Sequence, residues 1–211
     1  MMKRLFDFFF SLLGLILLSP VFLIVAILIK WTSTGPVFFI QTRIGQHGRI
    51  FPIYKFRTMS ENAEQTGQLT IGADPRITGV GHFLRKTNID ELPQLINVLK
   101  GEMSLVGPRP EVPKYVALYN EGQKKVLNAK PGMTDYASLK YRNESELLGN
   151  SKNPEEYYVN KVIPEKLALN LDYINNQSFL LDIKLILWTI FDIVKSFYKR
   201  LLSRLLHLFL K

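Results

Sequence analysis

Hydrophobic and polar positions are unevenly spread along the chain. Leu12 to Ile29 is a charge-free apolar run, preceded by Lys3, Arg4 and Asp7 and followed by Lys30. At about 1.5 Å per residue it would span roughly 27 Å, close to the thickness of a bilayer core. Gly35-Pro36 ends it. Two β-rich runs follow, Val37 to Arg43 and Arg49 to Phe56, on either side of Gly45-Gln46-His47-Gly48, which predicts a hairpin. Ser60 to Gly72 is polar and reads as a mobile loop. Asp74-Pro75 starts a turn that leads into a short helix. From Asp90, Leu92, Leu95, Ile96 and Leu99 recur at helical spacing, and Gly101 suits the end of that helix. "LVGPRPEVPKY" reads as a proline-ruled loop, Val112 to Leu127 as helix, "KPGM" as a turn, and Pro154 to Asn175 as one or two helices.

The chain turns apolar again from Phe179, in a different way. Between Phe191 and Lys211 stand Lys195, Lys199, Arg200, Arg204 and Lys211, with Asp192 the only acid. On a helical wheel these bases occupy one half, and Phe197, Leu201, Leu205, Leu208 and Phe209 the other. That profile fits a helix lying in the plane of a membrane interface, the alternative being a helix packed on the protein core.

The apolar run has a feature of its own: Ser19-Pro20 sits in its middle. Proline removes a backbone donor and crowds the carbonyl four residues back, so a bend is expected there, with the serine hydroxyl available to the freed carbonyl. Basic residues lie on both sides, Lys3 and Arg4 before, then Lys30, Arg43, Arg49, Lys55 and Arg57 after. The positive-inside tendency places both ends in the cytoplasm. The pattern alone leaves a re-entrant helix and a straight span open. A secretory signal would have a shorter apolar core and a small-residue cleavage site.

Composition narrows the chemistry. The 211 residues suit one domain, perhaps with an appendage, and 47% hydrophobic content is too apolar for disorder. A formal charge of +9 suits nucleic acid, an anionic membrane or a phosphate-bearing substrate. Zero cysteines exclude disulfides, thiolate zinc sites and a cysteine nucleophile, and three scattered histidines (His47, His82, His207) do not make a metal cluster. Phosphate-loop, HExxH and GxSxG motifs are absent, and "GVGHFL" has Leu84 where a dinucleotide fingerprint needs its third glycine. A phosphate-handling protein with this sequence would use arginines, a metal and helix ends. No nucleic-acid partner is expected, since the bases cluster beside apolar segments without a recognisable binding motif.

Asp90-Glu91 is the candidate chemistry. In isolation it reads as a helix start, where acids offset the dipole and Pro93 is tolerated. With Arg85 upstream and Pro108-Arg109-Pro110 downstream, the weights change. Neighbours on a helix diverge by about 100°, so the two acids suit different roles, such as nucleophile and metal or proton ligand. A carboxylate attacking a diphosphate needs charge compensation by Mg²⁺ and arginines, and Arg85, Arg109 and Arg142 are available. The flanking prolines hold Arg109 in a fixed backbone.

Four stretches carry a resemblance: "KRLFDFFFSLLGLILLSPVFLIVAILI", "PVFFIQTRIGQHGRIFPIYKFRTM", "DPRITGVGHFLRKTNIDELPQLINVLKGEMSLVGPRPE" and "KPGMTDYASL". Together, from Lys3 to about Arg142, they resemble the bacterial monotopic phosphoglycosyl transferases, in a minimal form without the added membrane domain of larger relatives. The resemblance implies an α/β, mainly helical membrane-associated domain with a small β-hairpin, a re-entrant helix (residues 1–34) kinked at Ser19-Pro20, a cytosolic catalytic region (35–178), and interfacial amphipathic helices including a basic tail (179–211). It implies transfer of a sugar-1-phosphate from a UDP-sugar to polyprenyl phosphate at the cytoplasmic face of the inner membrane. Asp90 would form a covalent phosphosugar intermediate, Mg²⁺ would sit at Asp90 and Glu91, and Pro108, Arg109, Pro110 and Arg85 would bind substrate. Lys55, Arg57 and Arg142 join them as weaker substrate-binding assignments. Membrane lipids are expected partners, with room for downstream glycosyltransferases and a homo-oligomer. Two other readings stay open: direct transfer in a ternary complex with Asp90 only a metal ligand, and a non-catalytic membrane-attached scaffold.

Overall fold

A computed structural model describes the backbone of residues 2–209, and the side chains of residues 2–195 and of Tyr198. The fold is mostly helical with a small antiparallel hairpin and an apolar first helix. Helix α1 (Met2–Thr32) is long and apolar enough to cross a membrane. One stripe of it faces the rest of the protein: Asp7, Ser11, Val25 and Ile29 are buried, while Ile16, Leu17, Leu23 and Trp31 are exposed. Three polar anchors fix the start of that stripe. Lys3 Nζ donates to Val106 O (2.8 Å) and Asp182 Oδ2 (2.7 Å), Arg4 donates to Val98 O (2.6 Å) and Leu99 O (2.8 Å), and Asp7 Oδ1 accepts from Leu105 N (3.0 Å). Pro20 lies inside α1, and its missing amide would have served Ile16 O; the Ser19 hydroxyl donates to that carbonyl at 2.8 Å.

The expected hairpin is present as β1 (Phe38–Ile44) and β2 (Ile50–Phe56), in register Phe38 to Phe56 through Ile44 to Ile50. Phe51 and Ile53 of β2 pack on Val98 and Met103, and Phe56 turns to the other side against Val25 and Ile29 of α1. Helix α2 (Gly79–Thr87) follows the Asp74-Pro75 turn, as its sequence predicts, with Thr78 Oγ1 capping Gly81 N at 3.0 Å. Gly81 has no substitute here: a Cβ on it would stand 2.0 Å from Thr58 O.

The expected helix from Asp90 to Leu99 starts differently. Asn88, at φ 58°, turns the chain out of α2, and Ile89–Gln94 forms a 3₁₀ turn containing Pro93 before α3 (Leu95–Lys100) continues. Proline lacks the amide that α-helical pairing would need, and the tighter turn accommodates it. Gly101 ends α3 at φ 85°. The buried Asn97 side chain ties α3 to the hairpin, accepting from Tyr54 N (3.1 Å) and donating to Pro52 O (2.7 Å).

Two stretches expected as loop and turn instead pair as a parallel ladder, β3 (Ser104–Val106) with β4 (Gly132–Thr134). Strands of three residues carry no readable alternation, so the pattern could not announce them. Gly107 and Gly132 cross so closely that a Cβ on Gly132 would lie 2.0 Å from Gly107 N. Val112 to Leu127, expected as one helix, is broken into α4 (Pro113–Val116), α5 (Glu121–Lys124) and a 3₁₀ turn (Lys125–Asn128). Asn120 interrupts it, its side chain and that of Gln123 forming a reciprocal cap. Short helices α6 (Tyr136–Lys140) and α7 (Glu144–Gly149) lead to α8 (Pro154–Tyr157), which passes through a π turn into α9 (Ile163–Asn175). Their core holds Tyr115, Leu148, Val162 and Leu167.

The last helix, α10 (Phe179–Phe209), is longer than the expected basic segment. Asp182 and Leu185 are buried against Tyr173 and Val106, while Leu187, Trp188, Ile190, Phe191 and Val194 are exposed. The predicted two-sided pattern beyond residue 198, and Phe197 within it, lies outside the described side chains.

Candidate active site

One large cleft, about 1440 Å³, opens between the hairpin, the loop after it, the 3₁₀ turn, and the segment from Pro108 to Asn170. Lys55, Arg57, Arg85, Asp90, Glu91, Pro108, Arg109, Pro110 and Arg142 all line it. Ser19 and Pro20 do not, belonging to α1. Residues singled out over 88 positions of sequence are thus brought to one cavity.

Glu91 is the hub of its charge network. Its carboxylate accepts from Lys55 Nζ (2.9 Å) on one oxygen and from both terminal nitrogens of Arg109, Nη1 at 3.0 Å and Nη2 in a closer contact. Burial alone would raise its pKa, but the charges and hydrogen bonds of Arg109 and Lys55 outweigh that and hold it well below the usual carboxylate range. Arg109 is in turn held charged by Glu91, well above its ordinary value. Burial pulls Lys55 down, with Glu91 opposing.

Asp90, one residue away, is in the opposite condition. It is buried, and no hydrogen bond to its carboxylate forms among the described residues. Burial, and then the charge of Glu91, push it up to about 6, against the pull of Lys55, Arg85 and Arg109. A 3₁₀ turn advances about 120° per residue, which separates the two side chains further than an α-helix would. The local backbone therefore gives two neighbouring acids separate jobs.

The basic residues are fixed from behind. Arg85, on α2, donates Nε to Thr58 Oγ1 and Nη1 to Thr70 Oγ1, both at 2.9 Å, and burial lowers its pKa. Arg57, at the end of β2, donates Nη2 to Ser33 O (3.0 Å) and Ser33 Oγ (2.9 Å). Arg142 forms an ion pair with Asp192 of α10 at the far rim. The Pro108-Arg109-Pro110 backbone is clamped on both flanks. Arg109 N donates to Asp135 Oδ2 at 2.9 Å, and Asp135 also caps α6 through Ser138 N. Arg43 Nη1 donates to Pro110 O at 3.0 Å and pairs with Glu111, whose other oxygen accepts from Tyr158.

Sequence reasoning missed Asp135, Arg43 and Glu111 as members of the site. Asp135 carried a readable sign, an N-cap residue just ahead of a short helix within "KPGMTDYASL". Arg43 and Glu111 carried none, because their pairing depends on how the hairpin meets the loop after β3. Arg76 was also missed. It donates to Ala63 O (2.9 Å), Gly67 O (2.6 Å) and Leu69 O (2.6 Å), and so shapes the loop at the mouth of the cleft.

A cation is implied by the resemblance, and the donor set is its test. Among the described residues no group of three or more His, Cys, Asp and Glu side chains gathers to hold a metal alone. Mg²⁺ commonly uses one or two carboxylates and completes its shell with water and substrate phosphates. Asp90 offers a carboxylate free of protein donors; Glu91 offers its oxygens only in competition with Lys55 and Arg109. The residues fit a magnesium ion held mainly through Asp90 once a phosphate-bearing substrate is present.

Comparison with known proteins decides the kind of enzyme. The family model described as bacterial sugar transferase matches residues 1–196. The chain belongs to the bacterial sugar transferase family. It is therefore an enzyme, a phosphoglycosyl transferase. It is similar to the uncharacterized sugar transferase EpsL of Bacillus subtilis (strain 168), 37% identical over 195 residues that cover 92% of this chain and 88% of that one. It is also similar to the UDP-glucose:undecaprenyl-phosphate glucose-1-phosphate transferase of Escherichia coli (strain K12), 39% identical over 90% of this chain and 40% of that protein. The UDP-N-acetylgalactosamine-undecaprenyl-phosphate N-acetylgalactosaminephosphotransferase of Aeromonas hydrophila is 37% identical over 94% of this chain and 45% of its own. The last two name different sugars at similar identity and the first names none, so likeness alone selects none.

Proposed function

We propose that the protein transfers a sugar-1-phosphate from a UDP-sugar to polyprenyl phosphate, releasing UMP and leaving a polyprenyl-diphosphate-linked sugar. The observation that carries this is the contrast at Asp90-Glu91: one half-buried carboxylate is neutralised by two bases, and its buried neighbour faces the cleft without a donor. Asp90 is then the nucleophile. A carboxylate oxygen attacks the phosphorus that bears the sugar, the bridge to the second phosphorus breaks, and UMP departs with the bridging oxygen. The sugar-phosphate is left as an acyl phosphate on Asp90. A phosphate oxygen of the lipid next attacks the same phosphorus, and the Asp90 carboxylate leaves.

Each neighbour has a part. Glu91 keeps Arg109 and Lys55 charged and in place, and their remaining N–H groups stabilise the charge that builds on the phosphoryl oxygens. Asp135, Arg43 and Glu111 fix the backbone from which Arg109 reaches in. Arg85 adds a third charge beside Asp90. Magnesium, held at Asp90 with the substrate phosphates, would supply charge neutralisation that lets one anion approach another.

The same reading covers topology. α1 enters and leaves one leaflet, so that the enzyme is monotopic at the cytoplasmic face of the inner membrane. What supports this is that both ends of α1 bond one catalytic body: Lys3 and Arg4 at its start reach Val106 and Val98, and Ser33 just past its end holds Arg57. A straight span would put those ends on opposite sides of the bilayer. The exposed apolar side chains of α10 then lie at the same surface.

The test is UMP release by detergent-solubilised protein with Mg²⁺ and a panel of UDP-sugars, with and without polyprenyl phosphate. Turnover that needs both the lipid and Asp90 supports the reading and identifies the sugar. UMP release in which Asp90→Asn equals the wild type would remove the nucleophile from the account.

A further inference from the structure

We infer that Arg57 is the docking group for the phosphate of the lipid acceptor, separate from the bases that serve the sugar nucleotide. This rests on the transferase reading above and deepens it.

The argument starts from what each base in the cleft still has to offer. Lys55 and Arg109 already pair with an anion of the protein, Glu91. Arg85 is anchored by two threonine hydroxyls. Arg57 is different. Its residue is only 6% exposed, and one nitrogen, Nη2, is satisfied by Ser33. Nε and Nη1 are buried and have no protein partner, on a side chain that lines the cleft. A buried guanidinium with unmet N–H groups is destabilising unless an acceptor arrives, and an anion meets that need best. Gly35, at φ +103°, makes room for the guanidinium itself: a Cβ on it would lie 2.3 Å from Arg57 Nη1. The acid nearest that point is Glu61, on the exposed loop, and it forms no hydrogen bond or ion pair with Arg57.

Position then separates the two phosphate-bearing substrates. Arg57 is bonded to Ser33, the residue after the last turn of α1. Ile27 and Leu28, just before that turn, are exposed, and Trp31 within it is 86% exposed. A lipid phosphate sits at the end of an apolar chain, so it must arrive where apolar surface ends and the polar cleft begins. Lys30 of the same turn is exposed and does not line the cleft; Arg57 is the base at that junction that does. Arg109, on a loop held by Asp135 and Arg43, suits the water-soluble diphosphate.

The experiment uses the full chain in detergent and separates binding from turnover. The probes are farnesyl phosphate, farnesol as the chain-only control, and UDP, each titrated against wild type, Arg57→Gln, Arg57→Lys and Glu61→Gln, with thermal melting to confirm folding. Arg57→Gln should weaken farnesyl phosphate at least tenfold and leave UDP and farnesol within twofold. Arg57→Lys should recover part of the loss, and Glu61→Gln should leave farnesyl phosphate binding intact or tighten it. The inference fails if Arg57→Gln weakens UDP as much as farnesyl phosphate, if Glu61→Gln reproduces the loss, or if wild type does not distinguish farnesyl phosphate from farnesol. A wild type that binds farnesyl phosphate through Arg57 yet releases no UMP from any donor would instead sink the transferase reading and leave the phosphate site standing.

Discussion

The network around Glu91 and the side chains of Asp90 and Arg57 differ in how completely their charges are met. Around Glu91 every strong charge has a partner: Lys55, Arg109 and the carboxylate close on one another, and Asp135, Arg43 and Glu111 hold the backbone behind them. At Asp90, and separately at Arg57, charges are left over, a carboxylate without a donor and two N–H groups without an acceptor. A saturated network keeps its shape when the cleft is empty. An unsaturated one stores interactions that only a substrate can complete. On the proposed function, the Glu91 network supplies shape and Asp90 the chemistry, although the two acids are adjacent in sequence.

The sharpest way to break that comparison is to neutralise each acid. Asp90→Asn should lower turnover by more than about 10³-fold, the scale of losing a nucleophile, and the fold should survive. Glu91→Gln should act through structure: it strands two half-buried bases, at a cost below the about 3–5 kcal/mol of breaking a fully buried pair. Melting curves of the two variants should therefore move in opposite directions at pH 8. Equal losses of stability would erase the distinction.

Next in size is the glycine crossing behind the loop. Gly132→Ala would drive a methyl into the Gly107 backbone, so β3 and β4 must part and Pro108–Pro110 must shift. Stability should fall by about 2 kcal/mol or more, as overpacking does, and the KM for the UDP-sugar should rise. A variant with wild-type melting and KM would show that the ladder does not position Arg109.

Acid titration probes Asp90 alone. The Asp90 carboxyl is raised from 3.8 to about 6 by burial. As the proposed nucleophile Asp90 must be ionised, so UMP release should decline as pH falls through about 6. Stability follows the opposite sense. Below 3.8 both folded and unfolded chains are protonated there and the burial is harmless; between 3.8 and about 6 the folded chain holds the proton more tightly. The ionised carboxylate therefore destabilises the fold increasingly over that window and fully above it. In chelated buffer, the stabilising effect of Asp90→Asn should grow from pH 4 to pH 6 and then level off. A difference independent of pH would place Asp90 in contact with solvent.

The smallest effect is expected at the rim. Arg142 and Asp192 form a partly exposed ion pair, a class worth about 0–1 kcal/mol. Asp192→Asn should change melting little and leave the KM for the UDP-sugar within about threefold. A larger change in KM would move Arg142 from the rim into the donor site.

Much of this was legible in the chain. The apolar helix, the hairpin, α2 and the Asp90-Glu91 and Pro108–Pro110 motifs follow from periodicity, turn residues and family resemblance. What escaped has a common cause. The β3–β4 ladder, the Arg43–Glu111 pair and the hold of Asp135 on Arg109 join residues 26 to 68 positions apart, through strands too short to show a period. The division of labour between the acids could be anticipated in kind, since neighbours diverge on a helix. Which acid is neutralised could not, because that depends on Arg109 and Lys55 arriving from two other elements.

The central claim is that Asp90 carries the sugar-phosphate. Its most direct test is the intact mass of the purified protein after brief exposure to its UDP-sugar and Mg²⁺, with no polyprenyl phosphate present. The account predicts a mass increase of one sugar-phosphate, matched by one equivalent of UMP, mapped to Asp90 and discharged when the lipid is added. No adduct, with UMP appearing only when both substrates are present, would contradict it and favour direct transfer between them.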